Sequence, residues 1–149
     1  MLHSAPATAT YNGNTKFEDG DLRYWSWCSQ QGYASGRVNK CLFDEQIPVD
    51  ANGYYTLVLS RESDRPRNAI NECGVSWLPI ADVGDGTGDP DLSFLVLRNM
   101  LGRGEFKHAV QNIKSQETIQ QDMGDYFPRA RYTTVSSFET AVPCQVEKR

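Results

Sequence analysis

No stretch of this sequence approaches the about eighteen consecutive apolar residues of a membrane-spanning helix, so no membrane insertion is expected. Positive charge is scarce as well. Fifteen Lys and Arg against nineteen Asp and Glu leave a net charge of −4 at pH 7, which offers no basic field to a phosphate backbone and sets nucleic acid aside. Histidine occurs only as His3 and His108, and C-x-x-C is absent, so a zinc site lacks ligands. There is no Gly-x-Ser-x-Gly elbow either. A serine nucleophile therefore lacks its setting, and a cysteine nucleophile requires the cysteines to be unpaired. The first ten residues have neither the charged start nor the apolar run of a signal peptide, so the expectation is an internal protein or a mature or trimmed form.

Four cysteines are present, Cys28, Cys41, Cys73 and Cys144, an even number at wide spacings. They are read as two disulfides, Cys28 with Cys41 and Cys73 with Cys144, the first contributing ~3 kcal/mol by loop closure. That reading points to an extracellular, secreted protein. Free buried thiols in a cytosolic protein are the competing reading.

Aromatic residues are plentiful, with three Trp, seven Tyr and six Phe in 149 residues, and hydrophobic residues make up 39%. This is one domain's worth of globular chain. Arg23-Tyr24-Trp25-Ser26-Trp27-Cys28 is the densest aromatic cluster, and Leu22 to Cys28 reads as a central strand because both faces carry bulky groups. Val38 to Phe43 reads as the next strand. The turn Asp50-Ala51-Asn52-Gly53 then leads into a strand from Tyr54 to Ser60. Val75 to Pro79 is a short apolar element, and Leu92 to Leu97 a strand buried on both faces. Phe106, Ala109, Val110 and Ile113 recur at helical spacing, predicting a short helix over Glu105 to Asn112 with His108 on its polar side. Ile119 and Met123 suggest a further helical turn, Arg131 to Val135 a strand, and Ser136-Ser137-Phe138-Glu139 a capping box for a last helix. The fold expected is mainly β, an antiparallel β-sandwich or jelly-roll with two or three short helices in the C-terminal third. Residues 1–20, small and polar with the turn signal Asn12-Gly13, read as an extended arm, and residues 21–149 as the single sandwich domain.

Arg23-Tyr24-Trp25-Ser26, Asp50 to Ser60, Trp77-Leu78-Pro79 and Leu97-Arg98-Asn99-Met100-Leu101 follow in an order that resembles the C-terminal β-rich region of uncharacterised secreted bacterial proteins. More distantly, the order is similar to the bacterial domain of unknown function 1214. The likeness covers Arg23 to Leu101, with Met123-Gly124-Asp125-Tyr126-Phe127-Pro128 as a further echo. It implies a β-sandwich and export, and no activity. The relatives usually carry a larger N-terminal region, so this chain is expected to be a fragment or a stand-alone module.

Candidate sites are few. The loop from Asp82 to Asp91 places Asp82, Asp85, Asp89 and Asp91 among glycines, the oxygen-rich composition that calcium needs, although its spacing is not that of an EF-hand. Calcium is the one cofactor the sequence raises, against an ordinary turn-rich loop. Trp25, Trp27, Tyr33, Tyr54 and Tyr55 could form a sugar platform; Trp25 and Trp77 fit better in the core, which leaves loop-borne Tyr33 as the ring for a ligand, with Tyr54 beside it. In the run from Arg61 to Asn68, Arg65 and Arg67 could clamp an anionic group. Asp44, Glu45, Asp50, Asp64 and Asp125 are the carboxylates from which a glycosidase pair would be drawn, with no spacing that pairs them. No catalytic residue stands out. The expected function is a secreted, non-catalytic binding or structural interaction module that meets a protein partner or self-assembles through its arm. A carbohydrate-active protein, either a glycan-binding module or an acidic-pair hydrolase, is the alternative.

Overall fold

The computed structural model describes residues 2–6, 10 and 20–144. Among these residues seven strands, β1 (Leu2–Pro6), β2 (Leu22–Gln30), β3 (Val38–Phe43), β4 (Tyr54–Ser60), β5 (Val75–Pro79), β6 (Phe94–Gly102) and β7 (Arg129–Arg131), form two sheets. Two short helices, α1 (Ile119–Met123) and α2 (Val135–Ala141), lie near the C-terminus. The aromatic cluster places β2 at the centre of an antiparallel three-stranded sheet in the order β3-β2-β6, with Trp27 opposite Leu42 on one side and Leu97 on the other. The second sheet runs β5-β4-β1-β7. It is mixed, because β4 and β5 are parallel, with Val58 beside Trp77.

Alternation along β4 explains how the chain builds two cores from one strand. Tyr55, Leu57 and Leu59 face Leu22, Trp25, Trp27 and Leu42 of the other sheet in the main core, and Val58 faces the opposite way. There it joins Ala69, Val75 and Phe138 in a second cluster, lidded by α2. The Trp25 ring stacks on Tyr55 at 4.9 Å between centroids, and Trp27 Nε1 donates to the Tyr55 hydroxyl at 2.9 Å. Burial pushes the Tyr55 phenol up to about 12, only partly offset by the Trp27 hydrogen bond. The aromatic residues weighed as a sugar platform are thus divided: Trp25, Trp27 and Tyr55 are core.

Both disulfides form as expected, Cys28 with Cys41 and Cys73 with Cys144. The first joins residues directly opposite each other on β2 and β3. The second ties the segment after α2 to the 3-10 turn Asn71–Cys73 that precedes β5.

Five expectations need correction. Within the supposed arm, Leu2–Pro6 is a strand inserted between β4 and β7, since the edge of β4 away from β5 has main-chain groups to satisfy. The Asn12-Gly13 turn lies outside the described residues. Over Glu105 to Asn112 there is no α-helix, only a 3-10 turn at Val110–Asn112. Side-chain amides take over main-chain groups in this stretch. Asn99 Oδ1 accepts from Val110 N, and Asn112 Nδ2 donates to the carbonyls of Phe106 and Lys107, while Phe106 and Ala109 are buried all the same. The strand expected at Leu92 to Leu97 starts at Phe94, runs on to Gly102, and is a half-buried edge rather than a doubly buried strand. The late strand is Arg129–Arg131, not Arg131 to Val135, and α2 is capped by Thr134, whose hydroxyl accepts from Ser137 N at 3.2 Å, two residues earlier than the expected box at Ser136.

Candidate functional site

A cleft of about 330 Å³ opens where the end of β4 meets the N-terminus of α2. Its floor is apolar, made by Val58, Pro66, Ile80 and Phe138, and its rim carries Arg61, Asp64, Asp91, Thr133 and Thr134. The strand ends at Ser60, where the chain passes into the 3-10 turn Glu62–Asp64, and this projects Arg61 and Asp64 over the opening. The wall is well fixed. Ser60 accepts from Trp77 Nε1 at 3.0 Å and donates to the Arg61 carbonyl at 2.9 Å, and Ile80 N donates to the Ser60 carbonyl at 2.9 Å. On the opposite side, Thr134 caps α2 and Phe138 anchors it into the second core.

Arg61 closes one end of the cleft by donating from Nη2 to Asp91 Oδ1 at 2.8 Å and to the Pro90 carbonyl at 2.6 Å. The hydrogen bond to Asp91 raises the Arg61 guanidinium further, with Asp64 and Asp82 adding to the same field. Asp64 lines the cleft with no hydrogen bond or ion pair to its carboxylate among the described residues.

The residues singled out from sequence are scattered by comparison. Tyr33 is 82% exposed on the β2–β3 connection, its ring against Phe94, while Tyr54 starts β4 in the other sheet. Arg65 stacks its guanidinium 4.3 Å from the Trp77 ring centre and donates to the Ala69 carbonyl. Arg67 makes a two-pronged ion pair with Glu139 of α2, Nη2 to Oε2 at 2.8 Å and Nε to Oε1 at 3.2 Å, and its main-chain N–H adds a third bond at 2.8 Å. These Arg67 bonds, side chain first, hold the Glu139 carboxyl below its usual range. Both arginines thus fasten the loop to β5 and α2.

The Asp/Gly loop spends its carboxylates on itself. Asp85 accepts the Thr87 hydroxyl at 2.6 Å and the N–H groups of Thr87, Gly88 and Asp89, which lowers it to about 2. Asp89 accepts from Asp91 N at 3.0 Å, Asp91 pairs with Arg61, and Asp82 is exposed. Among the described residues no three His, Cys, Asp or Glu side chains are grouped to hold a metal ion. Of the four aspartates, only Asp91 reaches the cleft.

His108 lies elsewhere, half-buried between Phe106 and Tyr126 with Nδ1 at 2.8 Å from the Asp122 carbonyl. The space it borders, with Trp25, Tyr55, Asn99 and Met123, is about 10 Å³, at the lower limit for a single water. With all four cysteines in disulfides, no thiol is available as a nucleophile. Among the described residues no helix is long and apolar enough to cross a membrane.

Of the run from Arg61 to Asn68 that the sequence singles out, Arg61, Asp64 and Pro66 line this cleft, whereas Arg65 and Arg67 are engaged by Trp77 and Glu139; Thr133 and Thr134 are not among the residues the sequence reading names. A signal for the threonines was present: a hydroxyl residue one position before the helical stretch Val135 to Ala141 marks a helix start, and helix starts border clefts when their first turn is left open.

No family model matches the chain, and no curated protein or solved structure is significantly similar to it. Function is therefore argued from the geometry alone.

Proposed function

We propose that the protein is a non-catalytic binding module of the extracellular space, a β-sandwich in the packing of its two sheets, which holds a partner in the cleft between Ser60 and Thr134. The carrying observation is the cleft itself, whose size falls in the range of ligand sites and whose apolar floor and charged rim are the usual division of labour in recognition. Two disulfides support an oxidising compartment. A protein partner is favoured over self-assembly through the N-terminal arm, because Leu2–Pro6 is used within the chain's own sheet. It is also favoured over a glycan, because the one aromatic ring lining the cleft among the described residues, Phe138, is 2% exposed and offers no face for a sugar to stack on.

The test is an amide chemical-shift titration of the isotopically labelled protein with a mixed panel of short peptides, amines and mono- and disaccharides. Shifts concentrated on Ser60 to Asp64 and Thr133 to Val135, lost in Val135→Trp, are expected. Val135 is an exposed lining position, so the tryptophan fills the cleft without replacing a core side chain. Shifts confined to the Tyr33 loop would refute the location. Turnover of a glycoside or ester substrate, abolished by Asp64→Asn, would refute the non-catalytic reading.

A further inference from the structure

Among the described residues the cleft is lined by one cation and two carboxylates, and the cation is already committed. Arg61 Nη2 serves Asp91 Oδ1 and the Pro90 carbonyl, so an incoming anion would compete with a carboxylate held at 2.8 Å. Asp82 adds a further negative charge close enough to act on Arg61. The other two arginines of the 61–68 run are engaged elsewhere. Arg65 lies over Trp77, and Arg67 is taken by Glu139. The rest of the lining includes Asp64, whose carboxylate has no hydrogen bond or ion pair among the described residues, Asp91, whose Oδ1 is taken by Arg61, and a floor of Val58, Ile80 and Phe138.

Resting on the binding reading above, we infer that this cleft receives the cationic side chain of a lysine or arginine carried on an exposed segment of a partner protein. The methylene stem lies on the apolar floor and the charged head reaches Asp64 and Asp91 at the rim. An anion would meet a surplus of carboxylate. A neutral polyol would find acceptors but no exposed ring, as Phe138 is buried within the floor. At about 330 Å³ the space is at the small end of ligand sites, which suits one long side chain better than an oligosaccharide. An arginine or lysine in a peptide is therefore the occupant that satisfies charge, floor and volume together.

The experiment titrates the full chain with n-hexylammonium chloride, its neutral isostere n-hexanol, methyl glucoside, and the peptides acetyl-Gly-Lys-Gly-amide and acetyl-Gly-norleucine-Gly-amide, reading amide shifts at Ser60 to Asp64 and Thr133 to Val135. Hexylammonium and the lysine peptide are expected to bind several-fold more tightly than hexanol and the norleucine peptide. That advantage should shrink as salt shortens the range of the carboxylate field. Asp64→Asn, an exposed change that breaks no hydrogen bond or ion pair of that carboxylate among the described residues, is expected to weaken the cations by roughly three- to tenfold and leave hexanol unchanged. Equal binding of charged and neutral probes, or no effect of Asp64→Asn, overturns the inference while the cleft remains a binding site. Binding of methyl glucoside alone overturns it in favour of a glycan. Silence of the cleft toward every probe overturns the binding reading as well.

Discussion

Replacing Cys73 and Cys144 by serine removes the longer of the two covalent links, with a sequence separation of 71 against 13 for Cys28–Cys41. Loop-closure entropy assigns about 4 kcal/mol to the long link and about 3 kcal/mol to the short one. The structure widens that difference. Cys28–Cys41 joins strands that the register already holds from Ser26 opposite Phe43 to Gln30 opposite Val38, so the short link repeats a constraint the sheet supplies in the native state. Cys73–Cys144 instead secures α2, whose seven residues are too few to be helical alone. Apart from the disulfide, α2 is held by Phe138 in the second core, the Arg67–Glu139 pair and the hydrogen bond from Asn68 to the Val142 carbonyl. The serine pair at 73 and 144 should therefore lose about 4 kcal/mol in urea unfolding followed by tryptophan fluorescence, and about 8 to 16 °C in Tm for a chain of this size. Amide exchange at Phe138 and Val142 should accelerate well before the core opens. A loss under about 1 kcal/mol, or a larger loss from the 28 and 41 pair, would refute the argument that α2 depends on the covalent tie.

Further outcomes follow from single residues. Gly84→Ala places a Cβ 2.1 Å from the Asp89 carbonyl at φ +57°, whereas Gly36→Ala, at φ +59°, meets nothing within 4 Å. Both should cost about 1–2 kcal/mol for the left-handed backbone, and only Gly84→Ala should cost clearly more in chemical denaturation, through the clash. Asp85 is lowered to about 2 in the folded protein, so its carboxylate favours folding above the unfolded value near 4 and loses that effect as pH falls through 2. The stability gap between the native protein and Asp85→Asn should accordingly close between about pH 4 and pH 2. Tyr55, pushed up to about 12, favours folding while it stays neutral, fully below about pH 10, and that contribution disappears as pH rises through 12. Phenolate absorbance should show a late tyrosine step near pH 12 that Tyr55→Phe removes.

How legible the fold was depends on where each element's signal resides. Val38–Phe43, Tyr54–Ser60 and Val75–Pro79 could be read to the residue because β-branched and aromatic runs there stop at turn residues or proline. The stretch around Phe106 misled for a physical reason. Helical spacing says which residues face inward, and Phe106 and Ala109 do, but whether the backbone becomes a helix was settled by Asn99 and Asn112 competing for its hydrogen bonds. Leu2–Pro6 gave no apolar pattern because its place comes from main-chain pairing with β4 and β7.

The candidate site was less legible still. Arg61, Asp64 and Asp91 are all in the sequence reading, yet nothing in their spacing joins Asp91 to Arg61 across the loop between them. The arginines that looked free, Arg65 and Arg67, have partners at Trp77 and Glu139 that only packing supplies.

The sequence by itself determined the sheet-rich character and the bounds of β3, β4 and β5, because these depend on local propensity and on side-chain alternation; it suggested the cysteine pairs without fixing them. Only the tertiary structure decided that β4 separates two cores, that β1 belongs to the same sheet, and that a cleft with a committed arginine and an unpaired aspartate lies beside α2. Those features arise where segments distant in the chain meet, and the free energy of such meetings depends on which partners arrive rather than on what either segment would do alone.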